Sequence, residues 1–157
     1  MSEAAAASSP NHLAHADVVV RGNPGAFLQK ITVGKHHLEA DEPFSIGGND
    51  SAPDPYDYLL AGLGACTSMT IGLYARRSKW PLDDIVVTLR HSRMHVSDCT
   101  DCDTQTGMLD CIEVEIELVG EITPEQRAKL MQIAHKCPVH RTLKGEIKID
   151  VRAAEST

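Results

Sequence analysis

The sequence predicts an α+β fold with an antiparallel sheet, and three patterns lead to that prediction. Residues 112–118 alternate Ile, Val, Ile and Leu with Glu, which is the period of a strand with one wet face. Pro55 opens a long apolar segment with helical spacing, and residues 123–126 open a second helix with a capping box. Because strands outnumber helices and hairpins join most of them, we expect α+β architecture.

The first third of the chain is expected to hold a tail and three strands. Residues 1–15 lack apolar periodicity and predict a disordered tail, and residues 16–157 are long enough for one domain. A Gly-Asn-Pro-Gly turn places Arg21 at the turn of a first hairpin, and no helix fits before Asp54. The predicted strands span residues 16–21, 27–33 and 36–40.

The first helix is expected to begin at Pro55, with Asp54 as N-cap, and to end before Trp80 and Pro81. Its small residues in 61–65 let another backbone come close, which suggests helix-on-helix packing across a dimer axis. The other predicted elements are strands at 84–95, 112–118 and 146–152, a helix from Thr123 to Lys136, and a helical turn at 138–143.

Charge and composition limit the partners. The formal net charge of −7 argues against nucleic acid or an anionic membrane surface as main partner, because both carry negative charge. No run of 18 apolar residues and no signal-peptide pattern is visible, so we expect a cytoplasmic protein without membrane association. No flavin, haem or nicotinamide motif occurs, so no cofactor is predicted.

The five cysteines are an odd number without the spacing of a disulfide-rich domain, which indicates free thiols, redox chemistry or metal ligation. Cys66 lies inside a helix, where a cysteine most often packs as a small hydrophobe. Cys137 precedes Pro138 at a helix start, where unpaired N–H groups stabilise a thiolate. Spacing alone does not bring these thiols together, since they lie 71 positions apart.

Cys99 and Cys102 form a Cys-x-x-Cys sequence in a polar loop, with His91 and His95 upstream. Two thiolates and two imidazoles could bind zinc, but both histidines lie on a predicted strand, and zinc sites usually pair two compact ligand clusters. The favoured interpretation is therefore that no metal binds here, with a zinc-stabilised protein as the alternative. Cys111, in the next strand, is expected to be inert.

Three segments of the chain resemble the OsmC/Ohr family of thiol-dependent peroxide reductases. They are the small-residue helix at 54–74 with its cysteine, the turn at 41–43, and Lys-Cys-Pro-Val-His-Arg at 136–141. The likeness spans about residues 16–152 and is closest to the OsmC-like branch. It implies an intertwined homodimer, with antiparallel sheets enclosing two central helices and an active site at the subunit interface.

The resemblance also implies residue roles. Cys66 corresponds to the thiol that attacks an organic hydroperoxide and Cys137 to the thiol that resolves the sulfenic acid as a disulfide, before it over-oxidises. Arg21 corresponds to the cation that holds the Cys66 thiolate. A small dithiol or dithiol protein would supply the electrons.

The sequence departs from the family pattern at the start of the helix. Tyr56 stands where better-characterised members have a glutamate, and Asp57 follows on the helix face opposite Cys66. Tyr56, Asp57 and His140 are therefore supporting candidates. The alternative to an enzyme is a non-enzymatic binding or thiol redox-sensing domain on the same dimeric fold.

Overall fold

The computed structural model describes residues 17–100, 102–103 and 106–154, so the predicted tail at 1–15 lies outside the described residues. The chain divides into two compact units, with the boundary between Pro55 and Tyr56. The strands are β1 (Val18–Gly22), β2 (Gln29–Val33), β3 (His36–Ala40), β4 (Leu82–His95) and β5 (Met108–Gly120). The α-helices are α1 (Pro55–Ser78), α2 (Pro124–Ala134) and α3 (Pro138–Lys144), and short 3₁₀ turns lie at Phe44–Ile46 and Val96–Asp98.

The N-terminal unit contains an antiparallel sheet in the order β1-β2-β3, as the sequence predicts. The expectation that no helix precedes Asp54 is wrong in one detail, because a 3₁₀ turn forms at Phe44–Ile46. Gly47 ends that turn with φ of 103°, a conformation that favours glycine. The turn occupies three residues within the long connection that the sequence predicts.

The buried carboxylate of Asp41 organises this connection. It accepts hydrogen bonds from the backbone N–H groups of Glu42 (2.9 Å), Asn49 (3.1 Å) and Ser51 (3.2 Å), and from the Ser51 hydroxyl (2.8 Å). These bonds satisfy a side chain that is only 2% exposed. Asp41 thus ties together both ends of the chain segment that leads to α1.

The helix α1 begins at Pro55, as predicted, and ends where Lys79 adopts a φ of 55°. The N–H of Trp80 then donates to the carbonyl of Ala75 at 3.0 Å, which caps the last turn. Among the described residues, α1 is the one helix long and apolar enough to cross a membrane by length and composition. The core helix of a soluble protein meets the same criterion.

The C-terminal unit is built on a long hairpin. β4 and β5 pair antiparallel from Leu82 opposite Gly120 to His95 opposite Met108, with an irregularity at Asp83. β5 extends beyond the predicted strand at both ends. One buried cluster holds α1, α2 and β5 together and comprises Ile71, Ala75, Leu118, Leu130 and Ala134.

Within that cluster, Ile71 and Leu130 have no exposed surface. Burying a side chain of this size contributes about 1.5–3 kcal/mol. The predicted capping box on α2 is confirmed: Thr123 Oγ1 accepts from the Gln126 N–H at 3.2 Å, and Gln126 Oε1 accepts from the Thr123 N–H at 2.9 Å. These interactions fix the start of α2 and its buried face.

The predicted last strand at 146–152 is wrong, because residues 145–154 have no regular secondary structure. Ile147, Ile149 and Val151 are 50%, 79% and 94% exposed. Alternating apolar residues favour a strand only when a neighbouring strand accepts their backbone hydrogen bonds. No strand of the described part of the chain pairs with this segment.

Candidate active site

The C-terminal unit brings Cys66 and Cys137 together. Cys66 lies in the middle of α1 and is half-buried, whereas Cys137 lies between α2 and α3 and has no exposed surface. Their thiols are hydrogen-bonded to each other, and both are free. Residues 71 positions apart in sequence therefore form one thiol pair.

Local backbone geometry positions Cys137. Its N–H donates to the carbonyl of Ala134 at 3.2 Å, which continues the end of α2 for one more turn. Pro138 then occupies the first position of α3, and Cys137 is the N-cap residue. The N–H groups of Val139 and His140, in the first turn of α3, are near enough to the Cys137 sulfur to lower its pKa.

The surroundings of Cys137 stabilise its charged form. Burial by itself acts to raise the pKa of this thiol, but hydrogen bonds from Cys66, from the His140 N–H, from the Thr67 hydroxyl and from the Val139 N–H outweigh it. The pKa of Cys137 therefore lies below its ordinary value. Each donor can stabilise the thiolate because sulfur accepts hydrogen bonds most strongly when charged.

The pKa of Cys66 shifts in the opposite direction. Burial, followed by the hydrogen bond to Cys137, raises the pKa of the Cys66 thiol, while the Val139 N–H and the Thr70 hydroxyl oppose that change. The two thiols therefore share a proton unequally. When one thiol of the pair ionises, these surroundings favour the charge on Cys137 and the proton on Cys66.

A small cavity of about 90 Å³ lies beside this pair. It is lined by Thr67, Val114, Ile116, Met131, Ala134, His135 and His140. Two of these residues, Thr67 and His140, also donate hydrogen bonds to Cys137. The cavity walls are mainly apolar, so a small apolar group fits here better than a charged one.

Two imidazoles form the polar part of the cavity wall. The rings of His135 and His140 are 5.6 Å apart and nearly perpendicular. Burial, then the neighbouring charges of His135 and Lys144, lower the pKa of His140. His140, a supporting candidate from the sequence, thus lies at the site with a neutral ring at pH 7.

Arg21 lies in β1 of the N-terminal unit, opposite Lys30 in the strand register. It is exposed and occupies the next-to-last position of the strand, directly before the turn. The role that the resemblance gives to Arg21 remains a prediction.

The first turn of α1 lies away from the thiol pair of its own chain. Tyr56 stacks on the ring of His91 with centroids 4.5 Å apart, and His91 Nε2 lies 3.0 Å from Asp110 Oδ1. At about 1.5 Å per residue, Tyr56 is roughly 15 Å along the helix from Cys66. Asp57 lies in the same first turn of α1.

The structure joins Cys99 and Cys102 in a disulfide, which is neither the free-thiol nor the metal-ligand state among the possibilities that the sequence left open. A disulfide leaves neither sulfur available as a thiolate ligand, which removes two of the four ligands of the zinc alternative. His91 is bound to Asp110, and His95 Nδ1 lies 2.8 Å from the Ser97 hydroxyl. Cys111 is a free, half-buried thiol in β5.

Sequence reasoning predicted the N–H groups at the start of α3 but gave no role to two side chains at the site, Thr67 and His135. Thr67 follows Cys66 directly, but only the position of α3 shows that its hydroxyl reaches Cys137. His135 lies two residues before Cys137, a spacing without a characteristic motif.

A larger recess of about 240 Å³ lies near the C-terminal end of α1. Its lining includes Arg76, Trp80, Asp83 and Asp84. Thr67 and His140, which lower the pKa of Cys137, line the smaller cavity and not this recess, so the smaller cavity is the one next to the thiol pair.

Solved structures share this fold. The structure of an organic hydroperoxide resistance protein from Elizabethkingia anophelis, with thiocyanate bound, is 21% identical, matches 89% of this chain and 94% of that chain, and has a TM-score of 0.64. An OsmC-like protein from Mycoplasma pneumoniae is 20% identical over 83% of this chain and 87% of that chain, also with a TM-score of 0.64. The organic hydroperoxide resistance protein OhrB of Bacillus subtilis is 20% identical over 83% and 90% of the two chains, with a TM-score of 0.57.

No curated protein sequence matches this chain significantly. The structures above are too distant in sequence to show more than the fold. The family model described as OsmC-like protein matches residues 47–152, which is more than half of the chain and contains both thiols of the pair. The chain therefore belongs to the OsmC-like protein family.

Proposed function

We propose that this protein reduces organic hydroperoxides through a thiol–disulfide cycle between Cys66 and Cys137. The observation that carries the proposal is the hydrogen bond between these two thiols. Two thiols in contact, with different pKa values, can form one disulfide without large movement of the chain. Two of the similar structures are named as hydroperoxide resistance proteins, which agrees with this chemistry.

The proposed cycle conserves atoms and electrons. A thiolate attacks one peroxide oxygen, the O–O bond breaks, and the organic part leaves as an alcohol after taking a proton. The attacking sulfur is then a sulfenic acid, which the second thiol converts to a disulfide with release of water. A dithiol returns two electrons and two protons, and in a cytoplasmic protein a small dithiol or a dithiol protein would supply them.

Which of the two thiols attacks the peroxide depends on which one carries the proton that they share. The resemblance assigns the attack to Cys66, whereas the described surroundings favour the thiolate on Cys137. A cation beside Cys66 would move the proton to Cys137 and leave Cys66 charged. Arg21 is the cation that the resemblance assigns to this position, so we propose that Cys66 attacks once Arg21 is beside it.

A homodimer would complete this site. Leu59, Met69 and Leu73 follow helical spacing on the side of α1 that includes Gly62 and Cys66, and they are 39%, 72% and 41% exposed. A Cβ atom placed on Gly62 would meet no atom within 4 Å. The helix of a second copy could pack on this open stripe, exclude water from Cys66 and give the two central helices of the dimer.

The test is a count of thiols after one equivalent of cumene hydroperoxide is added to the reduced protein. The proposal requires the loss of two thiols, with peptide mass mapping showing a Cys66–Cys137 bridge. The Cys99→Ser/Cys102→Ser variant is the matched control and should lose the same two thiols. An unchanged count in both proteins would refute the proposal.

A turnover measurement distinguishes an enzyme from a thiol sensor. The raised pKa of Cys66 does not separate the two roles, because a protonated thiol reacts slowly with peroxide in either of them. A sensor forms the bridge once but does not sustain turnover when a dithiol is supplied. Repeated consumption of peroxide with dithiothreitol present would identify the enzyme.

A further inference from the structure

We propose that Cys99 and Cys102 form a second thiol–disulfide exchange site at the tip of the β4–β5 hairpin, whose partner is a dithiol protein with a basic surface around its reactive sulfur. The proposal does not depend on the peroxide chemistry of Cys66 and Cys137.

The first support is the geometry of the tip. Cys99 and Cys102 are three positions apart, share a disulfide and have Cα atoms 5.9 Å apart, which is within the ordinary range. Both residues are half-buried, so neither sulfur is enclosed in a core. An attacking thiolate needs access to one sulfur of the bond, and this position provides it.

The second support is that the hairpin does not need this bond for its fold. β4 and β5 form a ladder from the base of the hairpin to His95 opposite Met108. The Val96 N–H then donates to the Gly107 carbonyl at 3.0 Å and closes the hairpin before Cys99 is reached. A disulfide between residues this close in sequence also restricts the unfolded chain little compared with one that closes a long loop.

The third support is the separation between the two cysteine pairs. The cavity beside Cys66 and Cys137 is lined by Val114 of β5, whereas the tip begins at Met108. Six residues of strand correspond to about 20 Å. The tip disulfide therefore lies at another part of the C-terminal unit, where a separate partner can reach it.

The charge of the tip determines which partner fits. Asp98 and Asp103 are exposed on either side of the disulfide. His95, the nearest basic side chain along the chain, is hydrogen-bonded to Ser97. Negative charge here repels anionic thiols and attracts a thiol in basic surroundings.

The exchange itself is balanced. One thiolate of the partner attacks a sulfur of the Cys99–Cys102 bond and forms a mixed disulfide, and the other cysteine leaves as a thiolate. The second thiol of the partner then attacks the mixed disulfide. The partner becomes oxidised to a disulfide, and Cys99 and Cys102 together gain two electrons and two protons.

The test uses two small thiols of opposite charge, cysteamine and 2-mercaptoethanesulfonate, on the Cys66→Ser/Cys111→Ser/Cys137→Ser variant. Alkylation and mass measurement give the rate at which each thiol opens the tip disulfide in the folded protein. We expect the cysteamine-to-sulfonate rate ratio to fall several-fold in the Asp98→Asn/Asp103→Asn version. It should fall similarly in about 1 M salt, where charges are screened beyond about 3 Å.

Should the triple variant fail to fold, the same rates are measured on the parent protein by mapping the alkylated peptides. Reduction of the tip should change the melting temperature by less than about 2 °C, since a structural crosslink would shift it further. The proposal is overturned if the disulfide opens only on unfolding or if its reduction destabilises the fold. It is also overturned if the cysteamine-to-sulfonate rate ratio changes neither in the Asp98→Asn/Asp103→Asn version nor in high salt.

Discussion

Cys66 and Cys137 lie 71 positions apart in sequence and meet in a hydrogen bond inside the C-terminal unit. Cys99 and Cys102 lie three positions apart, share a disulfide and occupy the tip of a hairpin. The first pair is surrounded by hydroxyl and backbone N–H donors, whereas the second is flanked by exposed carboxylates. Similar side chains therefore stand in contrasting electrostatic surroundings.

The contrast shows how position determines the chemistry of a thiol. Burial alone would raise the pKa of both Cys66 and Cys137, but donors concentrated on Cys137 separate the two values. At the tip, access and charge determine which reagent arrives first. Each of the following experiments tests one side of this contrast.

The largest expected effect comes from removing a thiol of the buried pair. Cys66→Ser should lower dithiol-driven reduction of cumene hydroperoxide by at least about 10³-fold, because it removes the attacking sulfur. Cys137→Ser should lower it less, because the added dithiol can reduce the sulfenic acid directly. Cys99→Ser/Cys102→Ser should remain within about twofold of the parent when the reductant is dithiothreitol. Alcohol production measures the activity of each variant. Equal losses in the buried-pair variants and in the Cys99→Ser/Cys102→Ser variant would show that the two cysteine pairs do not act separately.

Truncating a core side chain should test the packing of the C-terminal unit that holds the buried thiol pair. Leu130 has no exposed surface, so Leu130→Ala should lower the free energy of unfolding by about 2–5 kcal/mol. The neighbouring Met131 is 38% exposed, and Met131→Ala should cost less than about half as much. Urea unfolding measures both variants, and a similar cost for the two would contradict the assignment of the core to Leu130.

Loss of one donor should affect the proton shared by the buried pair. Thr67→Val removes a hydroxyl that donates to Cys137, so the pKa of Cys137 should rise and its thiolate should appear at higher pH. Absorbance at 240 nm follows this change in a Cys99→Ser/Cys102→Ser/Cys111→Ser background. Peroxide reduction at pH 7 should not fall, because a less stable Cys137 thiolate favours the proton on Cys137 and the charge on the attacking Cys66.

Thr142→Val is the matched control for that variant. The Thr142 hydroxyl donates to the Pro138 carbonyl at 3.1 Å in the same short helix, α3. Its removal should leave the thiolate titration unchanged. A shift of equal size in both variants would mean that the thiolate responds to α3 stability rather than to the Thr67 hydroxyl.

The smallest expected effect concerns the open side of α1 next to Cys66. Gly62→Ala adds a methyl where the proposed second copy packs, so the dimer dissociation constant should rise about fivefold. Gly64 faces its own chain, where a new Cβ atom would lie 2.7 Å from Leu89 Cδ1. Gly64→Ala should therefore leave dissociation unchanged, and sedimentation at several concentrations distinguishes the two variants.

Local patterns predicted most of the elements. The starts of α1 and α2 could be predicted because Pro55 and the Thr123–Gln126 capping box each act on the backbone within a few residues. The alternation at 146–152 was misleading, because a strand needs a partner that the same alternation does not provide. The tip disulfide was not predicted, because the odd cysteine count left free thiols, redox chemistry and metal ligation open.

By itself, the sequence determined the elements of an α+β fold, the two cysteines of the candidate site and the resemblance that connects them. The tertiary structure decided that Cys66 and Cys137 lie together, that the Thr67 hydroxyl reaches Cys137, and that the pKa values of the two thiols shift in opposite directions. The physical reason is the distance along the chain over which each interaction acts. Helix caps and strand periods act over a few residues. The two thiols interact and lose their surrounding water only once α1 and α3 have packed together.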